Sequence, residues 1–138
     1  MRAKTIISMT VVLVMALILA TPVLADKARG KIGSDTIKNA GSFMLTTNEW
    51  NWITLSIKVR KMVPYQNYYV GWVQYKDGTW DKLVYELASA DSKGNINYGF
   101  QNPFYYSPDY TWTFKVFASS YAWEPFDLYG PVVGLNFY

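Results

Sequence analysis

The chain contains no histidine and no cysteine. Their absence rules out Ser-His-Asp and Cys-His relays, zinc sites of the usual kind, and the commonest acid–base group at neutral pH. It also rules out disulfides, so the fold must rest on a packed core. The 9 glycines never fall into the spacing of a phosphate-binding loop. Past residue 25 no apolar run is long enough to span a bilayer, and nowhere there does apolar spacing favour a useful helix.

Acidic chemistry is thin. Asp77 and Asp81 flank a hairpin, and Glu124 and Asp127 share a late loop. A carboxylate pair is the minimum for glycoside hydrolysis, so a small secreted hydrolase is the remote alternative. Aspartate is a common turn residue, and both pairs read as solvated turn groups. Asp91-Ser92-Lys93-Gly94-Asn95 lacks the further acidic ligands and closing glutamate of a calcium loop, and reads as a turn. No catalytic residue, metal or cofactor is expected.

The N-terminus has the layout of a secretory signal peptide. Arg2 and Lys4 precede an apolar run over 6–20, and Thr21-Pro22-Val23-Leu24-Ala25 ends in small residues spaced for cleavage. The competing reading is an uncleaved anchor, since 5–24 is about bilayer length. Cleavage after Ala25 leaves one domain's worth of chain. Residues 1–25 are therefore assigned to the signal peptide, 26–40 to a linker or loose first strand, and 41–138 to the folded domain. The expected location is secreted or cell surface, with no membrane contact after cleavage.

The whole chain carries a net charge of +3, but without Arg2 and Lys4 there remain 11 basic and 10 acidic residues. The basic residues look scattered, so no nucleic-acid partner is expected. Aromatic content is the unusual feature: 6 Trp, 12 Tyr and 7 Phe. At that density some rings reach the surface.

The organising stretch is 52–61. Ile53, Leu55, Ile57 and Val59 alternate with Thr54, Ser56, Lys58 and Arg60, as a half-buried strand requires. Phe43 and Leu45 mark an edge strand before it. The stretch 68–75 is apolar on both faces, as suits a central strand or one facing a partner. Asp77-Gly78 supplies a two-residue hairpin turn, and the return strand is read with Leu83, Tyr85 and Leu87 inward. Strands follow at Ile96–Phe100, Tyr110–Ser119 and 133–137. The whole predicts an all-β antiparallel sandwich of two sheets and about seven strands. Its expected core is Ile53, Leu55, Ile57, Val59, Trp72, Leu83, Tyr85, Trp112, Phe114 and Val116.

Four features between Ile53 and Ser119 carry a resemblance. They are the alternating strand, Pro64-Tyr65-Gln66-Asn67-Tyr68-Tyr69, the Asp91–Asn95 turn opening a strand, and Tyr110-Thr111-Trp112-Thr113. Together they resemble immunoglobulin-like domains of prokaryotic secreted and cell-surface proteins. The resemblance implies a scaffold with Trp72 in the place of the core tryptophan, although the antibody-type cysteine pair is missing.

Function falls to the aromatic rings. Sugar rings present flat C–H faces that pack on Trp and Tyr, which also hydrogen-bond. Alternating strand direction puts the connections at 48–51, 76–79 and 101–110 at one end, and those at 62–67, 88–95 and 120–131 at the other. The preferred ligand-binding set is Trp50, Trp52, Trp80, Phe104, Tyr105 and Tyr106, with Trp52 outward by parity. The other candidate is the opposite end, with Tyr121, Trp123 and Tyr129. The expected function is a non-catalytic extracellular binding or cell-surface structural module, the alternative being a carbohydrate-binding module. Its partner is an extracellular glycan, a surface protein, or another copy paired through edge strands. Contact is expected through aromatic and not charged groups.

Overall fold

A computed structural model describes residues 26–138; the expected leader over 1–25, with its cleavage site, lies outside the described residues. Eight strands form: β1 (Lys27–Ile32), β2 (Gly41–Thr47), β3 (Ile53–Val59), β4 (Asn67–Lys76), β5 (Thr79–Ser89), β6 (Ile96–Asn102), β7 (Trp112–Ser119) and β8 (Leu128–Leu135). They build two antiparallel sheets, one ordered β1-β2-β3-β6 and the other β5-β4-β7-β8. The result is an all-β two-sheet sandwich, compatible with an immunoglobulin-like fold. Within 26–40, the residues of β1 pair one by one with β2, from Lys27 opposite Thr46 to Ile32 opposite Gly41.

The organising strand behaves as its alternation requires. Ile53, Leu55, Ile57 and Val59 are buried, while Ser56 and Lys58 are exposed. Its partners are β2 on one side and β6 on the other, not the next strand in sequence. The chain crosses between sheets after β3, β5 and β6, yet strand direction still alternates. Connections 48–52, 77–78 and 103–111 therefore share one end, tied by Tyr106 N–H to Asn51 O at 3.1 Å and Asp77 N–H to Thr111 O at 2.8 Å. At the other end Met62 N–H donates to Gly94 O at 3.1 Å.

Trp72 sits at the centre, fully buried, stacked on Phe100 at 5.5 Å and edge-on to Phe114 at 6.4 Å. It bridges the two sheets. The Asp77-Gly78 turn has both residues at positive φ, 51° and 81°, as a tight two-residue hairpin needs. Gly71 allows a close approach of β5, since a Cβ there would meet Val84 O at 1.9 Å.

Three expectations need correction. The strand of Phe43 and Leu45 is not an edge: β2 lies between β1 and β3, because residues 27–32 pair along its free side. Leu83, Tyr85 and Leu87 do not face the core: Tyr85 is 46% and Leu87 56% exposed. Val84 stands opposite Trp72 and takes the inward position. Lys82 and Glu86 share its side because β5 is an edge strand, where their charged heads escape past the rim. Lys82 Nζ lies 3.7 Å above the Phe104 ring, and Glu86 accepts the Tyr98 hydroxyl hydrogen. Leu83 instead joins Val73, Phe117 and Phe126 in a second apolar cluster on the outer side of the sheet.

The last strand also starts earlier than its sequence suggests, at Leu128 and not 133. Pro131 hides it from a pattern search. Between Tyr129 opposite Phe117 and Val132 opposite Lys115, two residues of β8 face one of β7. That bulge, on an edge strand, accommodates a proline that has no N–H to give.

Candidate functional site

The loop between β2 and β3 is built by two asparagines. Asn48 Oδ1 accepts from the N–H groups of both Trp50 and Trp52, each at 3.0 Å. Asn51 takes a left-handed backbone with φ 56° and is buried, as asparagine tolerates better than most residues. Its side chain donates to Tyr138 O at 2.9 Å and accepts from Tyr138 N–H at 3.4 Å. Its own carbonyl receives Tyr106 N–H, so three separate stretches of chain meet at one residue. The turn is thereby fixed.

On this turn stands a tryptophan pair. The Trp50 and Trp52 ring centroids are 5.5 Å apart with planes tilted by 42°. Trp50 is 59% exposed and Trp52 is half-buried. Asn51 and Ile53 are both buried, so the alternation of β3 extends back through the turn and leaves Trp52 on the outer side. Next along that side come Thr54, Ser56 and Lys58.

The structure divides the rest of the preferred set. Tyr105 is exposed on the neighbouring loop, but Tyr106 is fully buried and unavailable to a ligand. Its ring packs on Phe137 at 5.0 Å and edge-on to Trp112 at 5.0 Å, closing that end of the core. Burial, the largest influence, raises the Tyr106 phenol well above its ordinary pKa, against a smaller opposing effect of the Asn102 hydrogen bond. Phe104 is half-buried against Tyr106 at 4.9 Å. Trp80 is 61% exposed but belongs to the other sheet, opposite Tyr75, and among the described residues makes no ring contact with the others. The six residues thus resolve into an exposed pair with Tyr105 nearby in the fold, a half-buried ring, a core ring and an outlier.

At the opposite end Tyr121 and Trp123 stack at 5.8 Å, and Trp123 is 67% exposed. Tyr129 lies apart from them in the second apolar cluster, 4.7 Å beneath Lys115 Nζ. Phe126, from the same loop, is buried on Phe117.

Each carboxylate weighed for chemistry has a structural engagement. Asp77 accepts Thr111 N–H at 2.8 Å, and Asp81 accepts from the buried Gln74 amide at 2.7 Å. Glu124 pairs with Lys115 at 3.1 Å, while Asp127 accepts from Ser120 N–H and hydroxyl, both at 2.7 Å. Asp91 accepts from Asn95 and Lys93 N–H groups, and those bonds hold its carboxyl below the usual range. Among the described residues no three acidic, histidine or cysteine side chains group as a metal site.

The sheet also gathers what the sequence leaves apart. Lys27, Arg29 and Lys31 project from the outer side of β1, and Lys58 from the same side of β3. Four of the basic residues therefore share a face, while others, such as Lys76, Lys82 and Lys115, lie on the other sheet. The signal was present as the i, i+2 spacing of Lys27, Arg29 and Lys31, which acquires meaning only once that stretch is a strand. The role of Asn51 is not legible in the sequence for a different reason: its side-chain partner is 87 residues away, whereas Asn48 bonds only two and four residues ahead. No known protein family matches the chain, and no significant match is found among curated proteins or solved structures.

Proposed function

We propose that the protein is a secreted, non-catalytic binding module, of the immunoglobulin-like kind found in prokaryotic secreted and cell-surface proteins, that takes a glycan on Trp50 and Trp52. The observation that carries this is the Asn48 clamp. A tryptophan left 59% exposed forgoes burial energy, and here the turn beneath it is fixed by two hydrogen bonds from one carboxamide. A ring pair on a fixed turn, with Trp50 exposed and Trp52 half-buried beside it, suits stacking on sugar faces, because little freedom remains to be lost on binding.

A glycan-array screen followed by tryptophan fluorescence titration tests this. Binding should weaken at least about tenfold in Trp50→Ala and in Trp52→Ala, with Tyr106→Phe close to wild type. Loss of binding in none of the tryptophan variants, or no glycan bound at all, would overturn it.

A second reading is a structural surface module that pairs through an edge strand. It is favoured by β5, an edge strand whose outer side exposes Tyr85 and Leu87. Light scattering that showed concentration-dependent assembly, abolished by Leu87→Lys, would support this second reading.

A further inference from the structure

The outer face of the β1-β2-β3-β6 sheet can be written out as three rows across the strands. One row runs Lys31, Ser42, Lys58, Asn97; the next Arg29, Met44, Ser56, Gly99; the third Lys27, Thr46, Thr54, Gln101. None of these twelve positions is acidic. Four are cationic, and Arg60 extends the β3 line past the first row. Asp26, the carboxylate nearest in sequence, is turned to the segment just past the other sheet's last strand, where it accepts Asn136 N–H at 2.7 Å. Among the described residues the only ion pair is Lys115 with Glu124, so none of these cations is in contact with a carboxylate, although Asp35 shares a neighbouring depression with Lys31.

The face is also shaped. A depression of about 460 Å³ is lined by Lys31, Ser42, Lys58, Arg60 and Asn97. A second, of about 520 Å³, is lined by Arg29, Lys31, Ser42, Ser56 and Lys58. The two share Lys31, Ser42 and Lys58 and so adjoin along this face as one trough-like stretch. Strand geometry sets the spacing of its charges. Lys27, Arg29 and Lys31 recur about every 7 Å along β1, and Lys31 and Lys58 stand roughly 10 Å apart across two strand spacings.

Past the third row, along β3, lies the tryptophan pair. One surface therefore runs from the rings at one end, through Lys27, Thr54, Ser56 and Gln101, to Arg29, Lys31 and Lys58 towards the other. We infer that this face binds an extended acidic polysaccharide: sugar rings stack on Trp50 and Trp52, hydroxyls meet the serine, threonine and amide side chains, and carboxylates meet Lys31, Lys58 and Arg29. The inference rests on the glycan reading above and names the class of glycan. Two features set this occupant apart from others of the same charge. The trough carries no exposed large apolar side chain to enter a bilayer, and no aromatic ring stands among its cations to stack successive nucleobases. Export through the leader expected over 1–25 would bring the face to the cell exterior, where acidic polysaccharides occur.

The test uses polygalacturonate and its methyl ester, which share a sugar backbone and differ in charge. The protein should bind the acid form at least about tenfold more tightly than the ester at low salt, with the difference shrinking as salt rises. Lys31→Glu with Lys58→Glu should remove the preference for the acid form and leave the melting temperature unchanged, since both side chains are exposed. Trp50→Ala should weaken both polymers. Equal affinity for acid and ester would overturn the charge inference and leave the glycan reading standing. A preference for the acid that ignores Trp50→Ala would sink the glycan reading and leave the cationic face. Tighter binding of oligodeoxythymidine, or of vesicles rich in phosphatidylglycerol, through Lys31 and Lys58 would replace the polysaccharide with that ligand. No binding of either polymer overturns the acidic-polysaccharide inference, while the glycan-array screen decides the glycan reading.

Discussion

Tyr106 donates its hydroxyl hydrogen to Gln74 Oε1 across 2.7 Å inside the sandwich, although 32 positions separate them in the chain. Trp72 Nε1 donates to the same oxygen at 3.2 Å, and Gln74 Nε2 donates to Asp81 at 2.7 Å. The bond anchors the long β6–β7 connection to the central strand. Removing the hydroxyl in Tyr106→Phe takes one donor from Gln74 and one acceptor from Asn102, whose amide lies 3.2 Å away. The expected loss is about 1–2 kcal/mol, read from urea unfolding.

The same phenol sets an alkaline limit. Its burial raises the folded-state pKa above the ordinary 10.0, so the folded chain keeps a proton that the unfolded chain gives up. Stability from this residue is intact below the unfolded value and declines as pH rises above it, by up to about 1.4 kcal/mol per pH unit. Urea midpoints taken from about pH 9 to about pH 11 should fall more steeply in wild type than in Tyr106→Phe. Parallel slopes would contradict the assignment.

Phe117 and Phe126 stack at 4.0 Å with planes 4° apart, on the outer side of the β4–β7 sheet. Both are buried, and their contact pins the 120–127 loop over the second apolar cluster. Phe117→Ala should cost about 3–5 kcal/mol. Phe126→Ala should expose the loop to limited proteolysis before the sheets unfold. Equal protease resistance in Phe126→Ala and wild type would show that the loop is held by other contacts.

Asn51 combines backbone strain with long-range bonding. Asn51→Ala meets both penalties, a left-handed backbone and lost bonds to Tyr138, for about 2–4 kcal/mol in total. Asn51→Gly relieves the first and not the second. Melting temperatures should therefore rank wild type above Gly and Gly above Ala, and both variants should bind glycan less tightly because the tryptophan turn loosens.

Much of the fold was legible because a strand with one buried face writes its geometry into the sequence. β3 alternates without a break, Asp77-Gly78 names its own turn, and Trp72, Trp112 and Phe114 fall on core positions by parity. β5 was misread because it carries apolar residues on the wrong side for a simple two-layer sandwich. Leu83, Tyr85 and Leu87 serve an outer face that also holds Tyr69 and Val73. Parity separates two faces but does not say which is inward when both have takers. β8 reads short because Pro131 mimics a loop, and β1 reads as a linker or loose first strand because its outward residues are all charged.

The candidate site divides along the same line. Sequence alone determined the absence of histidine and cysteine chemistry, the surplus of aromatic rings, the outward parity of Trp52 and the shared end of three connections. These depend on residue identity and on the two-residue repeat of a strand, both local quantities. Tertiary structure decided that Tyr106 is a core ring and that Trp80 belongs to the other sheet. It also decided that Lys27, Arg29 and Lys31 stand beside Lys58. Those outcomes depend on which strands pair and where a loop folds back, and pairing brings together residues tens of positions apart. β1 pairs with β2 and β2 with β3, and those two pairings lay β1's cations on the same face as Lys58 although 27 or more positions separate them in the chain.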